Sequence, residues 1–472
     1  TPFEGAIDAY EKCARADFIL YLKENVTSDL DQLNTRWGTA FKSWKEVNVP
    51  QPLLKNGPKP DLRPQWMDFC RFKYSLCNGH WYREVVKSIR SYDQDCVLMV
   101  YRQDPGGIDD WKSLEGIDYF HGAGNHELEG EGMFVDAWEK HGIGWITEPH
   151  MPHRWASYGD PDGKGWLLDW TTYIMLAQAG AGGANMHIYH WPIPGSGDLF
   201  LPSHYGREYA FDRWEKWFPL LREMHGLELL QSPPQVAVMQ DVTTLFAKHR
   251  TSFTPRLFDL RRWFELLRDD AVTYEEFMPK NKDKYKLIVP NIIDQVMSRE
   301  NISAIADSVR KGGHTVIMAR TGSLCPDTPE AKFVLLKELG IKPPQSTYKT
   351  TEESISARGV AGNHLFAENQ EIPFFSVADM KRELRSESMR KRFWSWQYRW
   401  LPQTDYFGYY PGVKDTGGEE IATFADGNTA VSLHKHGKGK VLVFWGCPDY
   451  CSPKLKGFMQ NVAMWAGVDL SR

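Results

Sequence analysis

Cysteine is scarce in this chain. There are seven in 472 residues (Cys13, Cys70, Cys77, Cys96, Cys325, Cys447, Cys451), with no CxxC pair. An odd, scattered set excludes a disulfide scaffold and a Cys-rich zinc site, and no metal or cofactor is expected. No apolar run reaches the ~18 residues of a membrane helix, so no membrane partner is expected. Positive charge is not in excess either. The formal net charge is −5, which gives no electrostatic case for nucleic acid. No internal repeat, low-complexity tract or signal peptide is visible in the sequence. The first residue is Thr rather than Met, as expected of a processed chain or a piece of a longer one.

Tryptophan is abundant, at 19 residues. Most are expected in cores. A flat indole face also suits the C–H face of a sugar ring, so some are candidate sugar platforms.

The chain is long enough for two or three domains. Residues 7–24 carry Ile7, Tyr10, Cys13, Phe18, Leu20 and Leu22, the spacing of an amphipathic helix. Residues 44–64 are rich in Pro and Lys and predict a loop. A long helix is expected from Trp66 to Tyr92. A buried strand follows at Cys96–Tyr101, then a strand at Ile117–Phe120, a helix at 133–141 and a strand at Ile143–Thr147. A helix at 166–179, a strand at Ala184–Tyr189 and a helix at 207–230 complete the series. Four strand–helix units in succession predict a parallel sheet with right-handed crossovers.

Ser232-Pro233-Pro234 breaks this pattern and predicts a domain boundary, dividing the chain into 1–232 and 233–472. A second, doubly wound α/β unit is expected beyond it. Its strands are Gln235–Met239, Tyr285–Pro290 and Thr315–Ala319, with helices at 257–267 and 302–311. Residues 346–412 predict an irregular insertion with a basic cluster at 380–392. Residues 419–447 predict two strands, EEIATF and KVLVFWG, around the turns Asp426-Gly427 and Gly437-Lys438-Gly439. A helix over about 454–467 closes the chain.

The most informative segment is GIGWITEPHMPHRW at 142–155. A short β-branched run ends in the carboxylate of Glu148, and aromatic and basic residues follow at once. Chemistry in (β/α)8 enzymes sits on such strand tips.

Longer motifs carry a resemblance. FILYLKENVTSDLDQLNTRWGTAF at 18–41 resembles the helix and loop after the fourth barrel strand of family 42 glycoside hydrolases. MDFCRFKYSLCNGHWYREVVKSIR resembles that family's next helix, VLMVY its fifth strand and GIDYF its sixth. ITEPHMPHRW resembles its seventh-strand tip, and the segment from QVAVM to GKGKVLVFWG its trimerisation domain. The resemblance implies the C-terminal half of a (β/α)8 barrel followed by a glutamine-amidotransferase-like domain. It implies a retaining β-glycosidase, β-galactosidase as the best single guess, that assembles as a homotrimer and acts on an oligo- or polysaccharide.

It also implies roles. Glu148 is the nucleophile. Its acid/base partner is a Glu expected upstream of Thr1, on a barrel half in the same or a separate polypeptide; Glu4 is the one acidic residue near that place and lacks a preceding strand and Asn. Arg102, from the loop after the fifth strand, and Arg154 are candidates to keep Glu148 ionised, since a cation within ~4–6 Å lowers a carboxylate pKa. His121, Asn125 and His126 follow the sixth strand and are candidates for sugar hydroxyls. His187 and His190 end the eighth, where alternation can point one of them to the barrel axis. Trp155 and Trp191 are the expected platforms, Trp145 a core residue.

Departures from the family pattern lie in HWPIPGSGDLFLPSHYG. Trp191, Asp198 and His204 stand there without the family's Arg and with different spacing, which leaves the sugar open. The four-Cys zinc cluster of some members is reduced to Cys13, and no Cys stands where an amidotransferase nucleophile would. Two other readings stay open: the same scaffold with another specificity, such as a β-mannoside or a modified polysaccharide, and a non-catalytic carbohydrate-binding or assembly subunit.

Overall fold

The structure is a computed structural model. It describes residues 13–51, 60–75, 81–102, 116–122, 144–147, 185–186, 219, 235–239, 241–247, 274–277, 279–290, 295–350, 355–374, 408–414, 416–448, 453–455 and 458–468. The expected helices at 133–141, 166–179 and 257–267, the boundary at 232–234 and the basic cluster at 380–392 lie outside these residues. So does the helix at 207–230, of which Pro219 alone is described, as helical.

Helices come first: α1 (Cys13–Asn25), α2 (Leu30–Trp37), α3 (Pro64–Ser75) and α4 (Trp81–Tyr92), with a 3-10 turn at Trp44–Glu46. In α1, Phe18 and Leu22 lie one helical turn apart and both are fully buried. Phe18 meets Phe69 edge-on and stacks on Trp37. Asp29 caps α2 by accepting from the N–H groups of Asp31 and Gln32, and Gly38 ends it in the left-handed region. Pro64 opens α3, where its missing N–H costs nothing. The long helix expected over 66–92 is described as two, α3 and α4; residues 76–80 between them lie outside the described set.

A buried carboxylate ties these helices together. Asp68 of α3 accepts from Arg36 Nε at 3.0 Å and Nη2 at 2.9 Å, from Trp37 Nε1 at 2.9 Å and from Arg71 Nη1 at 3.3 Å. Its side chain is 1% exposed. Burial pushes the neighbouring Cys70 thiol well up from its ordinary value.

Four strands then form one sheet in the order β1-β2-β3-β4: Met99–Arg102, Tyr119–Gly122, Gly144–Thr147 and Asn185–Met186. Every pairing is parallel, as the alternation of strands and helices predicted. The first strand departs from expectation. It was expected buried over 96–101, yet Val97 and Met99 are 68% and 55% exposed, and pairing starts only at Met99. Among the described residues β2 is the one strand paired with β1, so its other flank is uncovered there.

The second sheet has nine strands. In chain order they are β5 (Val236–Met239), β6 (Tyr274–Glu276), β7 (Leu287–Pro290), β8 (His314–Met318), β10 (Ile355–Gly359), β11 (Glu371–Phe374), β13 (Glu419–Phe424), β14 (Thr429–His436) and β15 (Gly439–Phe444). Lys349–Thr350 (β9) and Gly408–Tyr409 (β12) pair separately. The spatial order is β11-β10-β13-β14-β15-β8-β7-β5-β6. From β15 to β6 the pairing is parallel, and from β11 to β15 antiparallel. The sheet is therefore mixed, a parallel α/β half continued by hairpins. Helices α5 (Val242–Ala247), α6 (Arg299–Lys311), α7 (Val334–Glu338) and α8 (Phe458–Trp465) accompany it.

Both faces of the parallel half are covered. Leu287, Val289, Val316, Leu442 and Phe444 pack in one cluster with Phe458 and Val462 of α8. Ile288, Ile317, Val441 and Val443 pack on the other face with Ile302, Ile305 and Val309 of α6. Two expectations are corrected here. Residues 346–412 are not irregular throughout, because β9, β10, β11 and β12 lie in them. Residues 419–447 hold three strands rather than two. The one overlooked, TAVSLHKH, hides its burial behind polar letters: Ser432 and His434 are both buried. Among the described residues no helix is long and apolar enough to cross a membrane.

Candidate active site

The four-stranded sheet aligns its strand ends. Arg102 pairs with Gly122, Gly122 with Thr147, and Thr147 with Met186. These four residues form one row, and it is the last described row of every strand. The row before it is Tyr101, His121, Ile146 and Asn185. Glu148 is the next residue in the chain after Thr147, and His187 the next after Met186.

Two placements differ from expectation. Arg102 closes β1 rather than standing in the loop beyond it, and His121 lies inside β2 rather than after it. A parallel ladder is a backbone structure, so it runs past the last apolar residue, where sequence reading tends to stop it. The register brings Arg102 and His121 to adjacent strands in consecutive rows. The other candidates, Glu148, Asn125, His126, Arg154, Trp155, His187, His190, Trp191, Asp198 and His204, lie outside the described residues, as does Glu4. Among the described residues no three His, Cys, Asp or Glu side chains gather as metal ligands would.

The opposite end of β1 and β2 is held by a contact that sequence reading missed. Asp118, just before β2, accepts from Leu98 N at 2.7 Å and from Arg90 Nη2 of α4 at 2.7 Å. Asp118 N donates back to Leu98 O at 2.9 Å. Arg90 also donates to the carbonyls of Gln94 and Cys96. One carboxylate and one guanidinium thus fix where the two strands start, and with them the neighbouring rows in which Arg102 and His121 end. The signal available in sequence was Asp118 directly before the aromatic pair Tyr119-Phe120, which says nothing of its distant partner Arg90. Gly116 permits the approach. It has φ +83°, and a Cβ there would sit 2.8 Å from Val86 Cγ1.

The model of glycoside hydrolase family 42, described as β-galactosidase, matches residues 3–129. A comparison with curated protein sequences finds no match. Solved β-galactosidases share the fold. The enzyme from Rahnella sp. R3 has 15% identity and a TM-score of 0.66, covering 98% of this chain and 67% of its own. That from Bacillus circulans sp. alkalophilus has 14% identity and a TM-score of 0.64, with the same coverage. The one from the haloarchaeon Halorubrum lacusprofundi has 14% identity and a TM-score of 0.62, covering 99% of this chain and 69% of its own. The chain thus spans about two thirds of the length of these structures. At such identities the likeness is one of fold, a mixed α/β architecture with parallel strands. Together with the match over residues 3–129, it makes the chain similar to glycoside hydrolase family 42 in that segment and to solved β-galactosidases in fold.

Proposed function

We propose that this chain is part of a retaining β-glycosidase, a β-galactosidase first, acting on a carbohydrate substrate. In this reading β1–β4 are the last four strands of a (β/α)8 barrel. Residues 1–232 belong to that barrel and 233–472 form an amidotransferase-like assembly module of a homotrimer. The remaining strands and the acid/base Glu come from the upstream half, in the same or a separate polypeptide.

The observation that carries the reading is the aligned row Arg102–Gly122–Thr147–Met186. All four strands are parallel, so this row is the C-terminal edge, where barrel enzymes hold their reacting groups. Glu148 follows Thr147 of that row directly in sequence, and β3 lies between β2 and β4. Retention needs two carboxyls ~5–5.5 Å apart, one attacking the anomeric carbon and one protonating the leaving oxygen. Glu148 is the nucleophile and must stay ionised, a state that Arg102 on the strand end and Arg154 favour. His121, Asn125, His187, His190 and His204 supply donors and acceptors for hydroxyls. Trp155 and Trp191 offer apolar faces to the ring, and Asp198 a further acceptor.

The test is stereochemical. Proton NMR of the full-length protein hydrolysing an aryl β-galactoside is expected to show the β-anomer first, with the α-anomer appearing only by mutarotation. Initial release of the α-anomer would exclude a covalent intermediate on Glu148.

A further inference from the structure

Doubly wound sheets bind ligands at the C-terminal ends of their parallel strands. In the nine-stranded sheet the described residues near that end pack on the N-terminal helices. Phe246, Ala247 and Val296 are buried in one cluster with Phe18, Trp37 and Trp66, and Leu324 packs on it. Trp66 Nε1 donates to Phe246 O at 2.8 Å. The opposite end, where β7, β8 and β15 begin, has a different character.

Three segments meet there. The 3-10 turn Pro279–Lys284 brings Lys280, Lys282 and Lys284, and Lys286 follows directly. Helix α6 ends in Arg310 and Lys311. The β14–β15 hairpin brings Lys435, Lys438 and Lys440. Contacts make them one surface. Lys438 N donates to Arg310 O at 3.0 Å, and Ser308 Oγ of α6 donates to Lys282 O at 2.9 Å. Lys440 stands in register between His314 on β8 and Lys435 on β14. The hairpin lies so close to the α6 terminus that a Cβ at Gly439 would fall 1.9 Å from Gly313 O.

The charge balance is lopsided. Among the described residues there, nine Lys and Arg face two carboxylates, Asp283 and Asp307, a local net of +7 on a chain whose total is −5. Asp283 pairs with Lys311 at 2.6 Å, and Asp307 with Arg310 at 2.5 Å and Lys282 at 3.2 Å. Glu419, opposite Leu433, lies at the margin. Lys286, Arg310, Lys311, Lys435 and Lys438 are exposed. Lys435 and Lys440 are directly opposed across two strands, an arrangement that costs stability. His314 titrates below its ordinary range, first through burial and then through the Lys440 charge. A fold does not gain from this clustering, whereas a polyanion does.

We propose that this edge of the sheet docks an anionic polysaccharide, a sulfated or uronate-bearing chain. The polymer's identity rests on the glycosidase reading. A nucleic acid duplex fits less well. It carries a charge every ~1.7 Å along a stiff rod, more than a local patch of nine cations neutralises. A polysaccharide with about one charge per sugar places fewer charges on the same patch.

The test is calorimetric binding of the full-length protein to a sulfated galactan oligosaccharide and to its desulfated form, at low and high NaCl. Binding of the sulfated chain alone, weakened by salt, is expected. The triple variant Lys286→Glu, Lys435→Glu, Lys438→Glu is expected to lower affinity about tenfold or more. The corresponding triple Gln variant, which neutralises without repelling, is expected to lose less. Lys414→Glu is the control. It adjoins Val413, whose carbonyl binds Thr429 N at the far end of β14, and no change is expected. Equal binding of both galactans would overturn the proposal. So would wild-type affinity in a triple Glu variant that melts normally, or equally tight binding of a DNA duplex of matched charge. Binding needs no turnover, so an inactive protein that still binds the sulfated chain refutes the reaction and leaves the surface standing.

Discussion

Asp68→Ala is expected to loosen the N-terminal helices by about 3 kcal/mol. The carboxylate is buried and accepts four hydrogen bonds. Removing it strands the Trp37 indole N–H, in a residue 6% exposed, without its acceptor, at a cost of ~1–3 kcal/mol. The Arg36 and Arg71 side chains are each 37% exposed. Water recovers most of their charge, so the two ion pairs together add only about 1 kcal/mol. Asp68→Asn keeps an acceptor for Trp37 and is expected to cost about 1 kcal/mol by the same reasoning. Hydrogen exchange read by mass spectrometry on peptides from α1, α2 and α3 checks this, because it reports local opening. About 3 kcal/mol is roughly a hundredfold loss of protection for Ala, and about 1 kcal/mol roughly fivefold for Asn. Ala protection within threefold of wild type would refute the reasoning. Equal losses for Ala and Asn would refute the part assigned to Trp37.

Two further predictions concern the second sheet. His434 is buried and its Nε2 lies 2.8 Å from Ser432 Oγ, which already accepts from Trp445 Nε1 at 2.8 Å. Ser432 therefore has its O–H free to donate, and His434 is held neutral with its pKa lowered by burial to about 4. The unfolded chain takes up a proton near pH 6.5 and the folded one only near 4. Stability is thus expected to fall as pH drops from about 6.5 to 4, by up to ~3 kcal/mol. Urea melts across that range check it, and His434→Gln is expected to flatten the dependence; an unchanged slope in that variant contradicts the assignment. Gly437→Ala is expected to lower stability by more than ~1 kcal/mol. Gly437 has φ +62°, and a Cβ there would lie 2.4 Å from Arg310 O. A melting temperature equal to wild type would show that the hairpin and α6 can separate freely.

Sequence reading succeeded where burial is uniform and failed where it depends on partners. LIVP, HTVIM and VLVF are covered on both faces, so their apolar runs spelled strands directly. TAVSLHKH was missed because its polar Ser432 and His434 are buried, bonded to each other, with Ser432 accepting from Trp445 thirteen residues away. Val97 and Met99 erred the other way, apolar yet exposed among the described residues. At the site, the strand tip before Glu148 was legible from its β-branched run. That Arg102 and His121 end in neighbouring rows was not, because it depends on parallel register and on the Asp118–Arg90 clamp. The basic sheet edge was invisible for the same reason. Its cations come from three segments that only the fold assembles.

The most direct test of the central claim is covalent trapping. The full-length protein, with its upstream barrel half, would be incubated with a panel of 2-deoxy-2-fluoro glycosides and the labelled peptide found by mass spectrometry. The expected label is one sugar on Glu148, with the galactosyl reagent reacting fastest. A label on another carboxylate would move the nucleophile. No label from any reagent would contradict the retaining mechanism itself.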